Sequence, residues 1–163
     1  MSRSIRATLL WWAVSMLAVL LAFLLPGCSR REEMLAHSRP VEPPPGAFCG
    51  DESYGAVRSA WVLDFYARYR RDLSETLVNW DERFDCNRFV ALFAARAQVE
   101  YLAHTWHTQG APQAAAIGEA WVHRPNGDTH ALVWVVTEQG EKYFEPQTGK
   151  WVDSPGECYF LKL

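Results

Sequence analysis

The sequence predicts an α+β domain in which helices come first and pack on an antiparallel sheet. Three observations predict it. Apolar residues recur at helical spacing through the first half of the folded part. Asn126-Gly127 is a hairpin signal between two apolar runs. Gln139-Gly140 and Thr148-Gly149 then cut the rest into short segments, as a meander requires. With 163 residues the chain holds one such domain and not two full ones. Apolar residues at 49% and charged residues at 21% exclude wholesale disorder. No internal repeat recurs, which excludes a solenoid.

In chain order, residues 1–27 read as an export segment, 28–47 as a proline-rich spacer and 48–163 as the folded domain. Arg3 and Arg6 precede an apolar run from Ala7 to Leu25, closed by Leu25-Pro26-Gly27-Cys28. A basic start, an apolar stretch and a small residue before a break make the layout of a secretory signal. The Leu-x-Gly-Cys ending resembles a bacterial lipoprotein processing site, at which Cys28 is lipidated and becomes the new N-terminus. Pro26 departs from the small residue usual there. The run also approaches the ~20 residues of a membrane helix, so an uncleaved anchor is the other reading. Either way the domain lies outside the cytoplasm, tethered to a membrane. Ser29 beside a lipidated Cys28 resembles the outer-membrane type of a two-membrane bacterium. Pro40 and Pro43-Pro44-Pro45 make the spacer stiff and extended.

Val62, Phe65, Tyr66, Tyr69, Leu73 and Leu77 trace the buried face of a first helix, with Arg68, Arg70 and Arg71 on a solvated face. A second helix starts near Cys86, capped by Asp85, and buries Phe89, Val90, Phe93, Ala94, Ala97 and Tyr101. Gly110-Ala111-Pro112 ends it. Strands follow at Ile117–His123, Thr129–Thr137, Glu141–Pro146, Lys150–Val152 and Cys158–Leu163. The net charge of −3 disfavours nucleic acid as a partner, because phosphate binding needs a basic surface.

The cysteines are Cys28, Cys49, Cys86 and Cys158. With Cys28 assigned to lipid, Cys49 and Cys158 lie near the two ends of the domain and are expected to pair in an oxidising compartment. That bond would close a loop of about 110 residues, worth ~3–5 kcal/mol in the chain-entropy model. Cys86 is then left over. It is a buried small hydrophobe, a partner for one of the other two cysteines, or a reactive thiol. In the first helical turn unpaired N–H groups and the helix dipole favour a thiolate, while Asp85 opposes it. His130, opening its strand, is the candidate base. Glu145, on the next strand, is the candidate orienter of the imidazole. Hairpin register complicates the last assignment. A turn at Gln139-Gly140 puts Gln147 nearer to opposite His130, so Gln147 is the alternative orienter, and a β-bulge would bring Glu145 into line. The backbone N–H of Cys86 is one expected oxyanion donor, and Asn79 is the candidate for the second. Trp80 and Trp134 are either walls of the cleft or core. His104 and His107, three apart, lack an evident third ligand and read as surface residues. His123 reads as an exposed strand residue, and no metal site is expected.

Cysteine at a helix start, histidine opening a strand and an acid on the next strand resemble the papain-like and transglutaminase-like superfamily. Phe84-Asp85-Cys86-Asn87-Arg88-Phe89, His130-Ala131 and Phe144-Glu145-Pro146-Gln147-Thr148-Gly149 more specifically resemble the C-terminal cysteine-protease domain of mushroom galactose-binding agglutinins. The likeness covers roughly residues 75–160 and includes no sugar-binding repeat. It implies Cys86 as nucleophile, His130 as general base and Glu145 as orienting acid. It also implies calcium dependence, although Asn87 and Arg88 stand where that family commonly carries an acid, so no cofactor is expected from the residues themselves. The expected function is a membrane-tethered extracytoplasmic cysteine peptidase or amidase acting on peptide or cell-wall amide bonds. The alternative is a non-catalytic lipoprotein that binds a peptide or protein in the same cleft. A third reading is a structural lipoprotein with Cys86 in a disulfide.

Overall fold

The computed structural model describes residues 40–75 and 84–163. The elements are β1 (Pro40–Val41), β2 (Tyr54–Gly55), α1 (Ser59–Glu75), α2 (Cys86–Thr105), β3 (Ala114–Ala115), β4 (Ile117–His123), β5 (Thr129–Thr137), β6 (Gly140–Glu145), β7 (Lys150–Val152) and β8 (Glu157–Lys162). The five long strands form one antiparallel sheet in the order β7-β6-β5-β4-β8. The three short ones form a second sheet, β1-β2-β3. The α+β class expected from the sequence is the one observed.

The β4–β5 hairpin differs in detail from a two-residue turn. Arg124 N–H donates to Asp128 O at 2.8 Å and Gly127 N–H to Arg124 O at 2.9 Å, so Pro125, Asn126 and Gly127 make a three-residue loop. Proline's fixed φ suits the first loop position, and Gly127, at φ +89°, takes the left-handed one. The next turn joins Thr137 directly to Gly140 across Glu138-Gln139, one residue earlier than expected.

Both faces of the sheet are covered. Ala131, Val133, Val135 and Phe144 pack beneath the helices against Phe65, Tyr69, Phe89, Val90 and Phe93. Ala120, Trp134, Val136 and Leu161 pack on the opposite face with Tyr54, Ala56 and Ala114, closed over by Val41 and Ala47. Double coverage explains why β5 is apolar almost throughout rather than alternating. Pro40 and Val41, placed in the spacer by composition, pair with Gly55 and Tyr54 in the small sheet.

Two expectations are corrected. The arginines of α1 are not simply solvated. Arg68 pairs with Asp64 and with Glu100 of α2, which also accepts from Trp61 Nε1 at 3.3 Å, and Arg70 lies over the Phe89 ring. These contacts tie α1 to α2. Nor are Cys49 and Cys158 bonded: both are free and exposed, and Cys86 is free as well. Phe48 pairs beside Lys162 and accepts from Leu163 N–H, so Cys49 sits at the C-terminal end of β8. Cys158 sits at the strand's other end. At ~3.3 Å per residue the two lie more than about 10 Å apart, beyond the ~7 Å Cα separation a disulfide spans.

Candidate functional site

Asp85 caps α2 as expected, its carboxylate accepting from Arg88 N–H at 3.4 Å and its carbonyl from Phe89 N–H at 3.1 Å. Cys86 is therefore the first residue of the helix, where backbone N–H groups lack intrahelical partners. Its side chain is half-buried, with Sγ 3.6 Å from Asn87 Oδ1. A hydrogen bond with His130 holds the thiol pKa below its ordinary value, and the backbone of Ala131 acts in the same direction. Burial and the Asp85 carboxylate push the other way without prevailing. His130 responds in kind. Its hydrogen bonds to Cys86 and then to Glu145 drive its pKa up to about 9, against burial and the Arg124 guanidinium. A depressed thiol beside an elevated imidazole is the signature of a thiolate–imidazolium pair.

His130 Nε2 hydrogen-bonds Glu145 Oε2, which leaves Nδ1 for the thiol. The strand register explains how. The β5–β6 ladder pairs Thr137 with Gly140 and Val133 with Phe144, and there it stops. Continued straight, it would set Gln147 opposite His130. Glu145 is the diagonal neighbour, and its carboxylate reaches across to the imidazole. No bulge intervenes between β5 and β6; the register shift in this sheet lies between β4 and β8. The expected bulge is thus replaced by a diagonal reach, and Gln147 contributes its backbone instead of its amide. Its N–H donates to Glu145 Oε1 at 3.2 Å.

The Phe-Glu-Pro-Gln-Thr-Gly string is legible in these terms. Glu145 is only 8% exposed, and a buried carboxylate must be paired. One oxygen takes His130, with Arg124 3.8 Å away; the other takes the Gln147 N–H. The turn closes through Thr148 and Gly149 N–H groups on Glu145 O at 3.2 and 2.8 Å. Gly149 has φ +74°, and a Cβ there would lie 2.2 Å from the Tyr66 ring. Gly149→Ala is accordingly expected to destabilise the fold by about 1–3 kcal/mol. Thermal melting checks this, and alkylation of Cys86 should slow with it because Glu145 loses its setting.

The remaining candidates fall elsewhere. Asn79, Trp80, Cys28 and Leu77 lie outside the described residues. Trp134 belongs to the core on the far face of the sheet. His107 is exposed, and His123 stacks on Tyr159 with ring centroids 4.2 Å apart. Among the described residues no three His, Cys, Asp or Glu side chains gather to hold a metal ion, His104 and His107 included. Arg124 was absent from the expected site, and Asn87 and Ala131 stood in its motifs without the interactions they make with the thiol. Arg124 carried one weak signal, its place at the mouth of the hairpin that presents His130.

No family model and no curated protein matches this sequence. Among solved structures, a PSL1a–E64 complex superposes with a TM-score of 0.56 at 19% identity, over 72% of this chain and 43% of that one. A Polyporus squamosus lectin bound to the human-type influenza-binding epitope Neu5Aca2-6Galb1-4GlcNAc gives 0.56 at 17%, over 72% and 42%. The chain thus spans about two fifths of the length of the solved structures it matches. At such identity the likeness shows a shared fold: two helices on a five-stranded antiparallel sheet.

Proposed function

We propose that this chain is a papain-like cysteine peptidase or amidase. The observation that carries the reading is the His130–Glu145 hydrogen bond, together with a thiol at a helix N-terminus whose pKa the His130 imidazole lowers. The Cys86 thiolate attacks the carbonyl carbon of an amide, and the backbone N–H of Cys86 faces the developing oxyanion. Asn79 is the candidate second donor. His130 gives its proton to the leaving amine as the C–N bond breaks, forming a thioester. Water then attacks the thioester while His130 takes its proton, releasing a carboxylic acid and restoring the thiolate. Glu145 holds the imidazole with Nδ1 toward sulfur throughout. The fold shared with a protein solved in complex with E64 supports the reading.

In the same proposal the domain stands outside the cytoplasm of a bacterium, held to a membrane by lipid on Cys28 or by the apolar segment 7–25. In a two-membrane bacterium, lipidation would direct it to the outer membrane. Its substrates are peptides or cell-wall cross-links. The support is the basic start, the apolar run and the Leu25-Pro26-Gly27-Cys28 ending.

Iodoacetamide at pH 6–7 tests the chemistry directly. Cys86 should alkylate faster than the exposed Cys49 and Cys158, which serve as internal controls in peptide mass mapping. E-64 should add to Cys86 alone, and Cys86→Ala should abolish the adduct. Equal alkylation of the three thiols, or no E-64 adduct, would sink the proposal.

The pH dependence has a definite sign. The thiol pKa is lowered, so alkylation should already be fast below the ordinary thiol range and should fall only as acid reprotonates sulfur. His130 is raised to about 9, so acyl transfer should fall as pH rises through about 9 and the imidazolium is lost. Stopped-flow alkylation against pH checks the first limb, and amide turnover the second.

A further inference from the structure

Helix α2 is apolar on two sides. Phe89, Val90, Phe93, Ala94, Ala97 and Tyr101 fill the core. Val99, Leu102 and Trp106 make a second stripe at i, i+3 and i+7, a spacing that puts them on one face. Trp106, just past the last helical residue, keeps a helical backbone (φ −46°, ψ −37°) and so continues that face. The three side chains are 68%, 38% and 74% exposed, and Ala95 and Ala103 beside them are exposed too. The charges that border the stripe are engaged toward α1. Arg96 bonds Asp72 at 3.2 Å, and Glu100 takes Arg68 and the Trp61 indole. Water therefore meets three large apolar side chains with no charge among them, and a contiguous patch of that kind marks an interface. The path of the chain adds a second observation. Pro40, where this part of the described chain begins, pairs with Gly55. Gly55 lies against Tyr101 of α2, whose phenol oxygen would be 2.8 Å from a Cβ placed on the glycine. The domain is thus entered at the end of α2 that carries the stripe, while Cys86 starts the same helix about 30 Å away along its axis. The apolar run of the sequence stops at Leu25. The fifteen residues from there to Pro40 reach at most about 50 Å, so a membrane holding that run is never far from the Pro40 end.

We infer that this face of α2 docks on a phospholipid bilayer, with Val99, Leu102 and Trp106 seated among the headgroups and outer acyl carbons. The inference rests on the membrane tether proposed above and names the surface through which the tethered domain meets lipid. Tryptophan suits that depth, being apolar over most of its ring and polar at one edge. The contact is apolar rather than electrostatic, since no lysine or arginine lies on the stripe. Three side chains hold a free protein on a membrane only weakly, but a short tether keeps the patch at high local concentration. A second copy is the poorer occupant, because one such stripe falls short of the ~800 Å² per partner that a stable protein interface buries. Docking leaves the thiol, at the other end of the helix, open to water and substrate.

Fluorescence of the full-length protein on phosphatidylcholine vesicles tests it, with brominated acyl chains as a quencher in the lipid and iodide as a quencher in the water. The difference between wild type and Trp106→Phe isolates the emission of Trp106 from that of the other tryptophans. Brominated chains should remove about half or more of that emission, and iodide should remove little of it, as an indole at the headgroup boundary requires. Leu102→Asp places a charge in the stripe and should reverse both results. An equal mixture of phosphatidylcholine and phosphatidylglycerol should give the same quenching as phosphatidylcholine alone. Both variants alter exposed side chains far from the thiol, so wild-type alkylation of Cys86 by iodoacetamide reports that each is folded. Trp106 emission open to iodide on vesicles would overturn the docking. Emission shielded from iodide yet untouched by brominated chains would overturn it in favour of a second copy or another protein surface on the stripe. Quenching confined to the anionic mixture would overturn the apolar contact. In each of these cases the tether stands if the protein floats with the vesicles after a carbonate wash. A protein that does not float with them would overturn tether and docking together.

Discussion

His130→Ala is expected to slow acyl transfer by about 10²–10⁴-fold, the usual contribution of a positioned acid–base group. Two losses combine in that figure. The leaving amine no longer receives a proton, and the thiol loses the hydrogen bond that does most to depress its pKa. The variant therefore carries a second, separable signature. Its alkylation by iodoacetamide at pH 6 should drop by at least about tenfold, because sulfur returns toward the ordinary thiol range and is mostly protonated there. Raising the pH should restore alkylation, since iodoacetamide needs only thiolate, and should leave amide turnover depressed. Glu145→Gln separates orientation from charge. With the carboxylate gone, His130 should titrate below about 9, and the alkaline limb of turnover should move to lower pH. A His130→Ala protein with wild-type alkylation at pH 6 would show that the imidazole does not ionise the thiol.

Phe93→Ala is expected to cost about 3–5 kcal/mol, read as a lower urea midpoint at unchanged slope. Phe93 is fully buried and joins the two layers of the domain. Its ring lies 4.9 Å from Phe65 and 5.2 Å from Tyr69 on α1, and 5.5 Å from Phe144 on β6. Removing it opens a cavity between the helix that carries Cys86 and the strand that ends in Glu145. Against a typical stability of about 5–15 kcal/mol this is a large fraction. Because Phe144 immediately precedes Glu145, Cys86 should also alkylate more slowly at pH 6 even in the folded fraction. A stability loss with unchanged alkylation would mean that the site is held locally by its own turn.

Local features carried much of this molecule in advance, for physical reasons that differ by element. The start of helix α2 could be placed because an N-cap is a short-range event, whereas its end comes at Thr105, ahead of the Gly110-Ala111-Pro112 break expected to stop it. Asp85 satisfies an N–H three residues on, and nothing distant is needed to recognise it. The strands of the large sheet could be placed because turn chemistry punctuates them, though the turn between β5 and β6 came one residue earlier than its glycine suggested. The disulfide expectation failed for the complementary reason. Two cysteines near the ends of a domain are near each other only if the last strand brings them together, and β8 instead holds them at its opposite ends. The solvated face of α1 likewise failed where α2 supplied Glu100 as a partner for Arg68.

The sequence by itself determined the class of fold, the helix-starting cysteine and the short string around Glu145, since caps, turns and periodicity act over a few residues. Tertiary structure alone decided which of Glu145 and Gln147 meets His130, because that choice depends on where a ladder ends and how far a side chain reaches across it. It alone also set Trp121 opposite Ala131: a cross-strand neighbour is a consequence of register, and register is settled by the whole sheet.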